Sequence, residues 1–362
     1  MKLNLCLMAG LIAAVSCGIA SAQDGNATPR YVVLLPSSGG SSSQAAGAIG
    51  KASAPLPTWN GSFTYKNKNY TYNMVGTAPS TNTSTTIQAV IIPVKIVLSG
   101  GSTFDPEHVL PNGKTVVQNT VASPLFDSTT TYTVGSTDVG TTQYIDAYQR
   151  ANFWGTVASE PNYHLLLSAP TVLAEQTLSP SSRNGKSGNP FGNLTVAEVN
   201  INWFDSQIQS LITKLGILPN QIPIFLTYDT YLTQNGGCCI GGYHSSFSSS
   251  SGEQSYIHAS YIGVAGDFAQ DVSALSHELG EWATDPLVVN TNGNQTPCGI
   301  LEVGDPLEGE ANYGGFPYTV NGFTYNLQDL VMLPYFGAPT STSVNGWLSF
   351  HDAALTVCSN GS

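Results

Sequence analysis

Residues 271–284 read Asp-Val-Ser-Ala-Leu-Ser-His-Glu-Leu-Gly-Glu-Trp-Ala-Thr, and this stretch predicts an α-helix. Its apolar side chains recur at intervals of three and four residues and share one helix face, at Val272, Leu275, Leu279 and Ala283. Asp271 is a suitable N-cap, because its carboxylate can accept a hydrogen bond from a backbone N–H of the first turn. Asp285 precedes a proline, which disfavours the α conformation and ends the helix there.

The same helix carries a pattern that is typical of metal-dependent peptidases. Residues 277–281 read His-Glu-Leu-Gly-Glu, which is the zinc-peptidase motif with its second histidine replaced by glutamate. Positions i and i+4 lie on one helix face, so His277 and Glu281 can bind a single metal ion. Glu278 lies beside the first ligand, where the general base that activates a water molecule belongs. We therefore expect Zn²⁺ at His277 and Glu281, with Glu278 as the catalytic residue.

The third protein ligand of a catalytic zinc ion must come from outside this helix. Glu302 lies 25 residues after His277, a spacing similar to that of zincins whose third ligand is a downstream glutamate. Asp305 is the other local candidate, either as a ligand or as the carboxylate that orients a ligand histidine. His244 lies close to two glycines and a cysteine pair and can also approach the site, although a hydrogen-bonded structural histidine is an equal alternative. The choice among these three residues stays open.

Calcium is the alternative ion, because several anionic side chains surround the expected site. It takes six to eight oxygen ligands and does not favour imidazole, so His277 favours zinc. A second anionic ligand reduces the Lewis acidity of the ion. Metal binding is for that reason better supported by the sequence than hydrolysis.

The beginning of the chain predicts export. Residues 1–22 have a lysine at position 2, a following apolar run and the small-residue ending Ala-Ser-Ala, as a secretory signal peptide does. We expect a secreted, extracellular protein, or one of the periplasm or cell envelope. Beyond residue 22 no apolar stretch reaches the roughly 20 residues that cross a bilayer, so a membrane-spanning segment is not predicted.

Four cysteines remain after residue 22, and an even number in an exported chain favours disulfide bonds. The preferred pairing joins Cys298 to Cys358 and Cys238 to its neighbour Cys239. Sequence alone does not choose among the three possible pairings of four cysteines.

Composition limits the class of partner. The formal net charge is -12 and only 9% of the residues are charged, so the surface repels phosphate backbones and nucleic acid is not an expected partner. Residues 23–55 are rich in Ser, Gly and Ala and predict a flexible leader. Residues 56–362 are long enough for a single large domain. The oligomeric state cannot be inferred.

Alternating and continuous apolar runs predict strands at residues 86–98, 197–203, 222–232 and 256–262. Residues 205–215 predict a helix that ends at Gly216, and residues 316–335 predict hairpins with an Asn-Gly turn at 321–322. We expect an α+β fold, a zincin-like mixed sheet with an active-site helix that carries the His-Glu-x-x-Glu motif.

Three segments, in the same order, resemble the EXORDIUM or phosphate-induced protein family of plants and its secreted bacterial relatives. Residues 276–286 resemble that family's His-Glu-Leu-Ala-Glu, Ala-Thr-Asn-Pro block, residues 302–305 its Glu-Ile-Ala-Asp and residues 242–244 its Gly-Tyr-His. The resemblance covers roughly residues 222–305, with Asp285 in place of asparagine and cysteines arranged differently. It implies a secreted or cell-wall-associated protein, linked in plants to growth regulation without an established catalytic activity.

Two functions follow from these observations. The first is a secreted zinc-dependent hydrolase, a metallopeptidase-like protein that acts on peptides or proteins. The second is a non-catalytic extracellular or cell-envelope protein in which the same residues form a structural metal site.

Overall fold

The protein is described by a computed structural model for residues 27–32, 34, 54–65, 67–289, 301, 303–304, 315–340 and 348–350. Its strands are β1 (Ala27–Arg30), β2 (Thr58–Tyr65), β3 (Lys68–Val75), β4 (Ser84–Val97), β5 (Thr103–Phe104), β6 (Thr130–Val134), β7 (Thr137–Thr142), β8 (His164–Leu167), β9 (Thr171–Val172), β10 (Gln176–Leu178), β11 (Gly185–Gly188), β12 (Val196–Asn200), β13 (Gln221–Tyr228), β14 (Thr230–Gln234), β15 (Gly237–Ile240), β16 (Gly242–Ser249), β17 (Gly252–Tyr261), β18 (Phe316–Val320) and β19 (Phe323–Leu327). The helices are α1 (Val116–Val121), α2 (Tyr144–Asn152), α3 (Trp154–Val157), α4 (Ile201–Leu215) and α5 (Ser273–Thr284), and short 3₁₀ turns occupy Pro79–Thr81 and Pro334–Phe336. The fold class is α+β, as the sequence predicts.

A mixed sheet forms the centre of the described chain, with the strand order β10-β4-β13-β17-β16. Strands β4, β13 and β17 run parallel, and β16 joins them antiparallel. The predicted strand at residues 86–98 is confirmed as most of β4. Its continuous Val and Ile run has a simple cause: Ile91 faces one apolar core with helix α5, and Ile92 faces a second core with helix α4.

The apolar run at residues 222–232 is two strands instead of the predicted one. Asp229 has φ of 44°, and its carboxylate accepts a hydrogen bond from the Gly263 backbone N–H at 2.8 Å. This left-handed residue turns the chain, so β13 stays in the central sheet while β14 enters a second sheet of order β1-β15-β14-β12-β11. Residues 197–203 are also divided, because Asn200 caps α4 through a bond from Trp203 N to its Oδ1. Helix α4 thus begins four residues earlier than predicted and ends, as expected, at Gly216.

The sequence prediction of a flexible leader at residues 23–55 is wrong for the part that the structure describes. Residues Ala27–Arg30 form β1, which pairs in parallel with β15, and Tyr31 is buried. Strand β15 also holds the Cys238–Cys239 disulfide, which confirms the predicted vicinal bond. The predicted signal peptide, Cys298 and Cys358 lie outside the described residues.

Helix α5 lies in the apolar core and packs against β3, β16, β17 and β19. Every residue from Ser273 to Thr284 is buried, so the polar face of this helix is covered as completely as its apolar stripe. The predicted cap at Asp271 is wrong, since Val272 is the N-cap; the Asp271 carboxylate accepts hydrogen bonds from the Val272 backbone N–H and from the backbone and side-chain amides of Asn326. The predicted end at Asp285 is confirmed. The hairpin β18–β19 around Asn321-Gly322 is confirmed as well.

None of the helices in the described part of the chain has the length and apolar character needed to cross a membrane.

Candidate metal centre

The two predicted helix ligands lie one turn apart on α5 and converge. Nε2 of His277 is 2.9 Å from Oε1 of Glu281, as the i and i+4 spacing requires. Both side chains point into the protein interior, because this face of α5 is covered by the rest of the fold. The helix by itself therefore presents an imidazole and a carboxylate to one point.

Strand β16 brings His244 to the same point. Its Nδ1 lies 3.5 Å from Oε2 of Glu278 and 3.6 Å from Oε2 of Glu281. Ligand atoms of His244, Glu278 and Glu281 all lie within 4.8 Å of one another, which is close enough for a single ion to touch all three. His277 borders this group through its contact with Glu281.

The cluster is sealed from solvent. His244, His277 and Glu278 are 0% exposed and Glu281 is 1% exposed. The four carboxylate oxygens of Glu278 and Glu281 accept no hydrogen bond from the described residues. Two buried carboxylates without hydrogen bonds are costly, and proteins retain such groups where they are paired or coordinate a metal. The donor set of two imidazoles and two carboxylates suits zinc.

Both imidazoles are oriented by an acceptor on the side away from the carboxylates. Nδ1 of His277 donates to Oε1 of Gln328, and Nε2 of His244 donates to the backbone carbonyl of Asp285 at 3.1 Å. In the neutral rings this leaves the lone pairs of Nε2 in His277 and Nδ1 in His244 directed at the carboxylates. Metal-binding histidines are held in this way, with the second nitrogen bonded to a carbonyl or carboxylate.

Glycines allow the neighbouring chain to approach these groups. A Cβ at Gly242 would lie 2.7 Å from Oε1 of Glu278, so only glycine lets β16 pass so near to α5. Gln328 is fixed in turn, because its backbone N–H donates to Oγ of Ser276 at 2.8 Å. The site is therefore held by three separate parts of the chain, namely α5, β16 and the segment after β19.

The charges in the cluster are strongly perturbed. Burial raises the pKa of Glu278 to about 7, although His244 and His277 oppose this shift. Burial alone would raise the pKa of Glu281 too, but the charge of His277 and the contact with His244 outweigh it and hold that pKa below its usual range. Burial would lower the pKa of His244, yet the two carboxylates prevail and raise it to about 10.

In the metal-free cluster, bound protons offset the negative charge of the two carboxylates. Without a cation, a protonated His244 lies between an ionised Glu281 and a Glu278 that gains and loses its proton near neutral pH. A divalent cation would replace those protons, because metal ligands must be deprotonated. The same residues can thus hold either protons or a metal ion, and Glu278 is suited to move a proton.

The structure brings together some of the predicted site residues and leaves others undescribed. His277, Glu278 and Glu281 lie together on α5, and His244 joins them. Glu302 and Asp305 lie outside the described residues. Gly304, between them in sequence, packs against His277.

Sequence reasoning missed two residues of the site. Gln328 orients His277, but a glutamine after a hairpin belongs to no recognisable motif. The ring of Tyr31 lies against His277 with ring centroids 3.9 Å apart, within the segment that the sequence predicts to be a flexible leader. The one available signal was local: residues 30–35 read Arg-Tyr-Val-Val-Leu-Leu, a short β-forming run between polar stretches.

Gly304→Ala is expected to weaken zinc binding by about 10–100-fold, the usual effect of disturbing a group that orients a ligand. A Cβ at this position would overlap Nδ1 of His277 and lie 2.6 Å from Oε1 of Gln328, so the ring must leave its hydrogen bond. The affinity can be measured by competition with a chromophoric chelator. Gly100→Ala is the matched control, because a Cβ there meets no atom within 4 Å. Equal affinity in Gly304→Ala and wild type would contradict the orienting role of this contact.

Searches for known relatives gave no match, whether among family models, curated proteins or solved structures. The geometry of the cluster is therefore the basis for the function proposed below.

Proposed function

We propose that this protein is an exported, zinc-dependent hydrolase of the metallopeptidase type. The observation that carries the proposal is the buried group of His244, Glu278 and Glu281, with His277 one helical turn from Glu281. Such a set of imidazoles and buried carboxylates on one helix and one strand suits a catalytic zinc site. A zincin-like relation between the motif helix and the mixed sheet is part of the proposal.

Each residue has a proposed role. His277 and Glu281 hold the zinc ion, and His244 is the third ligand that the described residues best support, while Glu302 and Asp305 remain candidates from sequence. A bound zinc ion would supply Lewis acidity to a water molecule and to a substrate carbonyl. Glu278 would take a proton from that water and return it to the leaving amine, a role that its place beside the ligand His277 allows.

The proposal also states where the protein is located and which family it is related to. Export is supported by the pattern of residues 1–22. Kinship with the EXORDIUM or phosphate-induced proteins is supported by the order of the three matching segments. The preferred substrate class is a peptide or protein, and the net charge of -12 argues against nucleic acid.

A second function is favoured by one observation, the complete burial of the cluster. Structural zinc sites are closed, whereas catalytic sites keep a position open for water or substrate. Under this alternative the same residues would bind zinc in a non-catalytic extracellular or cell-envelope protein. The two functions share the metal and differ in whether Glu278 acts on a substrate.

Zinc binding is tested first, on mature protein that begins at Gln23, by elemental mass spectrometry. We expect about one zinc ion per chain. Glu281→Gln and His244→Gln are each expected to lower the zinc affinity by at least about 100-fold, since each substitution removes a side chain that binds the ion directly. Matched controls are Glu198→Gln, a buried glutamate paired with Lys186, and His258→Gln, a buried histidine beside Thr227. Absence of zinc after reconstitution would overturn the proposal. Unchanged binding in His244→Gln alone would move the third ligand to Glu302 or Asp305.

A further inference from the structure

Tyr31, the residue that follows β1, lies against His277 at the border of the candidate metal centre. The ring of Tyr31 is 3.9 Å from the His277 ring at an interplanar angle of 30°, and 4.9 Å from the ring of Phe268. Tyr31 is only 2% exposed, so it fills the space above the imidazole. The side chain of one leader residue thus closes the site on the side of His277.

Main-chain contacts hold the leader along this path. Strand β1 adds to the edge of the second sheet by pairing with β15, between Ala27 and Arg30. The Gly241 backbone N–H donates to the Arg30 carbonyl at 3.1 Å, and Oγ of Ser245 donates to the Leu34 carbonyl at 2.6 Å. The leader therefore runs beside residues 241–245, the segment that contains His244.

The leader contacts this surface as a bound peptide would. An extended chain added to a sheet edge gains affinity from its backbone and specificity from alternate side chains. Here Tyr31 enters the core that contains α5, while Val32 and Leu34 contact the other core. The leader is continuous in sequence with the rest of the chain, and residues 37–43 read Ser-Ser-Gly-Gly-Ser-Ser-Ser.

We propose that residues 27–32 and 34 occupy a peptide-binding groove of the candidate metal centre. The groove takes an extended peptide with an aromatic side chain over His277, and the leader is its displaceable occupant within the same chain. This inference rests on the proposed function, since the groove would deliver peptides to the zinc site. A tethered occupant competes at a local concentration in the millimolar range, so an external peptide binds only when the leader is displaced or cut.

The test uses chemical modification of histidines in the metal-free full chain, so it does not depend on zinc. Diethyl pyrocarbonate is applied to wild type, Tyr31→Ala and Tyr31→Phe, and each modified histidine is quantified by peptide mass spectrometry. We expect His277 to react at least tenfold faster in Tyr31→Ala than in the other two proteins. His258 is an internal control for unfolding because it is fully buried among Phe204 and Tyr243, and exposed His108 is the reference for full reactivity.

Equal reactivity of His277 in wild type and Tyr31→Ala, with His258 protected in both, would overturn the proposal. Faster reaction of His258 as well would mean that Tyr31→Ala unfolds the core, and a second measurement then decides. A protease site is placed within residues 37–43 of the full chain, and binding of a labelled peptide Ala-Thr-Pro-Arg-Tyr-Val-Val-Leu is followed by fluorescence anisotropy. We expect binding after the cut and not before it, at least tenfold weaker when alanine replaces the tyrosine of the peptide.

The proposal would also be overturned if the peptide bound with the same affinity before and after the cut, and with or without its tyrosine. The outcome for zinc is separate. If the protein binds no metal but His277 reacts faster in Tyr31→Ala, the proposed function is overturned and the groove is retained. If the protein binds zinc but His277 does not react faster in Tyr31→Ala, the groove is overturned and the proposed function is retained.

Discussion

Glu278→Gln is expected to keep its zinc and lose hydrolysis, with kcat lower by about 10²–10⁴-fold. Glutamine has the size and shape of glutamate, so the fully buried position is filled without a cavity. An amide cannot take a proton from water, however, and the role proposed for Glu278 consists of that transfer. Cleavage of a peptide library and zinc content are measured on the same preparation.

The same variant decides between the roles that Glu278 can have. Its carboxylate lies 3.5 Å from Nδ1 of His244 and belongs to the cluster that can touch one ion. Loss of zinc in Glu278→Gln would make this residue a ligand instead of the base. Retained zinc with unchanged turnover would contradict catalysis by this residue.

Two controls keep a negative result interpretable. Glu198→Gln repeats the chemical change at a buried glutamate in β12, away from the cluster, and is expected to leave turnover unchanged. The assay is also run in the Tyr31→Ala background, so that a groove filled by the leader is not mistaken for absent chemistry. Turnover absent from both backgrounds, with zinc bound, would favour the structural metal site.

Local chemistry explains which parts of this protein were predictable. The motif helix, the long strand β4 and the Asn321-Gly322 hairpin each follow from contiguous residues, and each is found where the sequence indicates. The convergence of His277 and Glu281 is of the same kind, because helix geometry alone fixes it. These features needed no knowledge of how distant segments pack.

The unpredicted features depend on contacts between distant segments. His244 was one of three open candidates from sequence, and the choice depends on the pairing of β16 with β17, which sets His244 opposite Ile257 in a register that no local pattern specifies. Gln328 reaches His277 across 51 positions of sequence. Residues 27–30 belong to a segment with the composition of a disordered tail, and they form β1 by pairing with the edge of β15.

Removal of zinc is expected to lower the melting temperature by about 8–16 °C when the metal-bound protein is compared at a free zinc concentration 1,000 times its Kd. A ligand that binds only the folded state at this excess stabilises it by about 4 kcal/mol, and each kcal/mol moves the melting temperature of a large domain by about 2–4 °C. Differential scanning fluorimetry with zinc and with a chelator measures the difference.

The structural reason for this stabilisation lies in the carboxylates of Glu278 and Glu281, which are buried without hydrogen bonds from the described residues. A cation removes the cost of those groups, which burial in a low-dielectric interior makes large. Glu281→Gln is expected to abolish the zinc-dependent shift, and Glu198→Gln to retain it in full. Because protons compete with metal for the same ligands, the shift should also shrink as the pH is lowered. A shift of equal size in Glu281→Gln would mean that zinc stabilises the protein at another place, and the cluster would then hold its charge with protons alone.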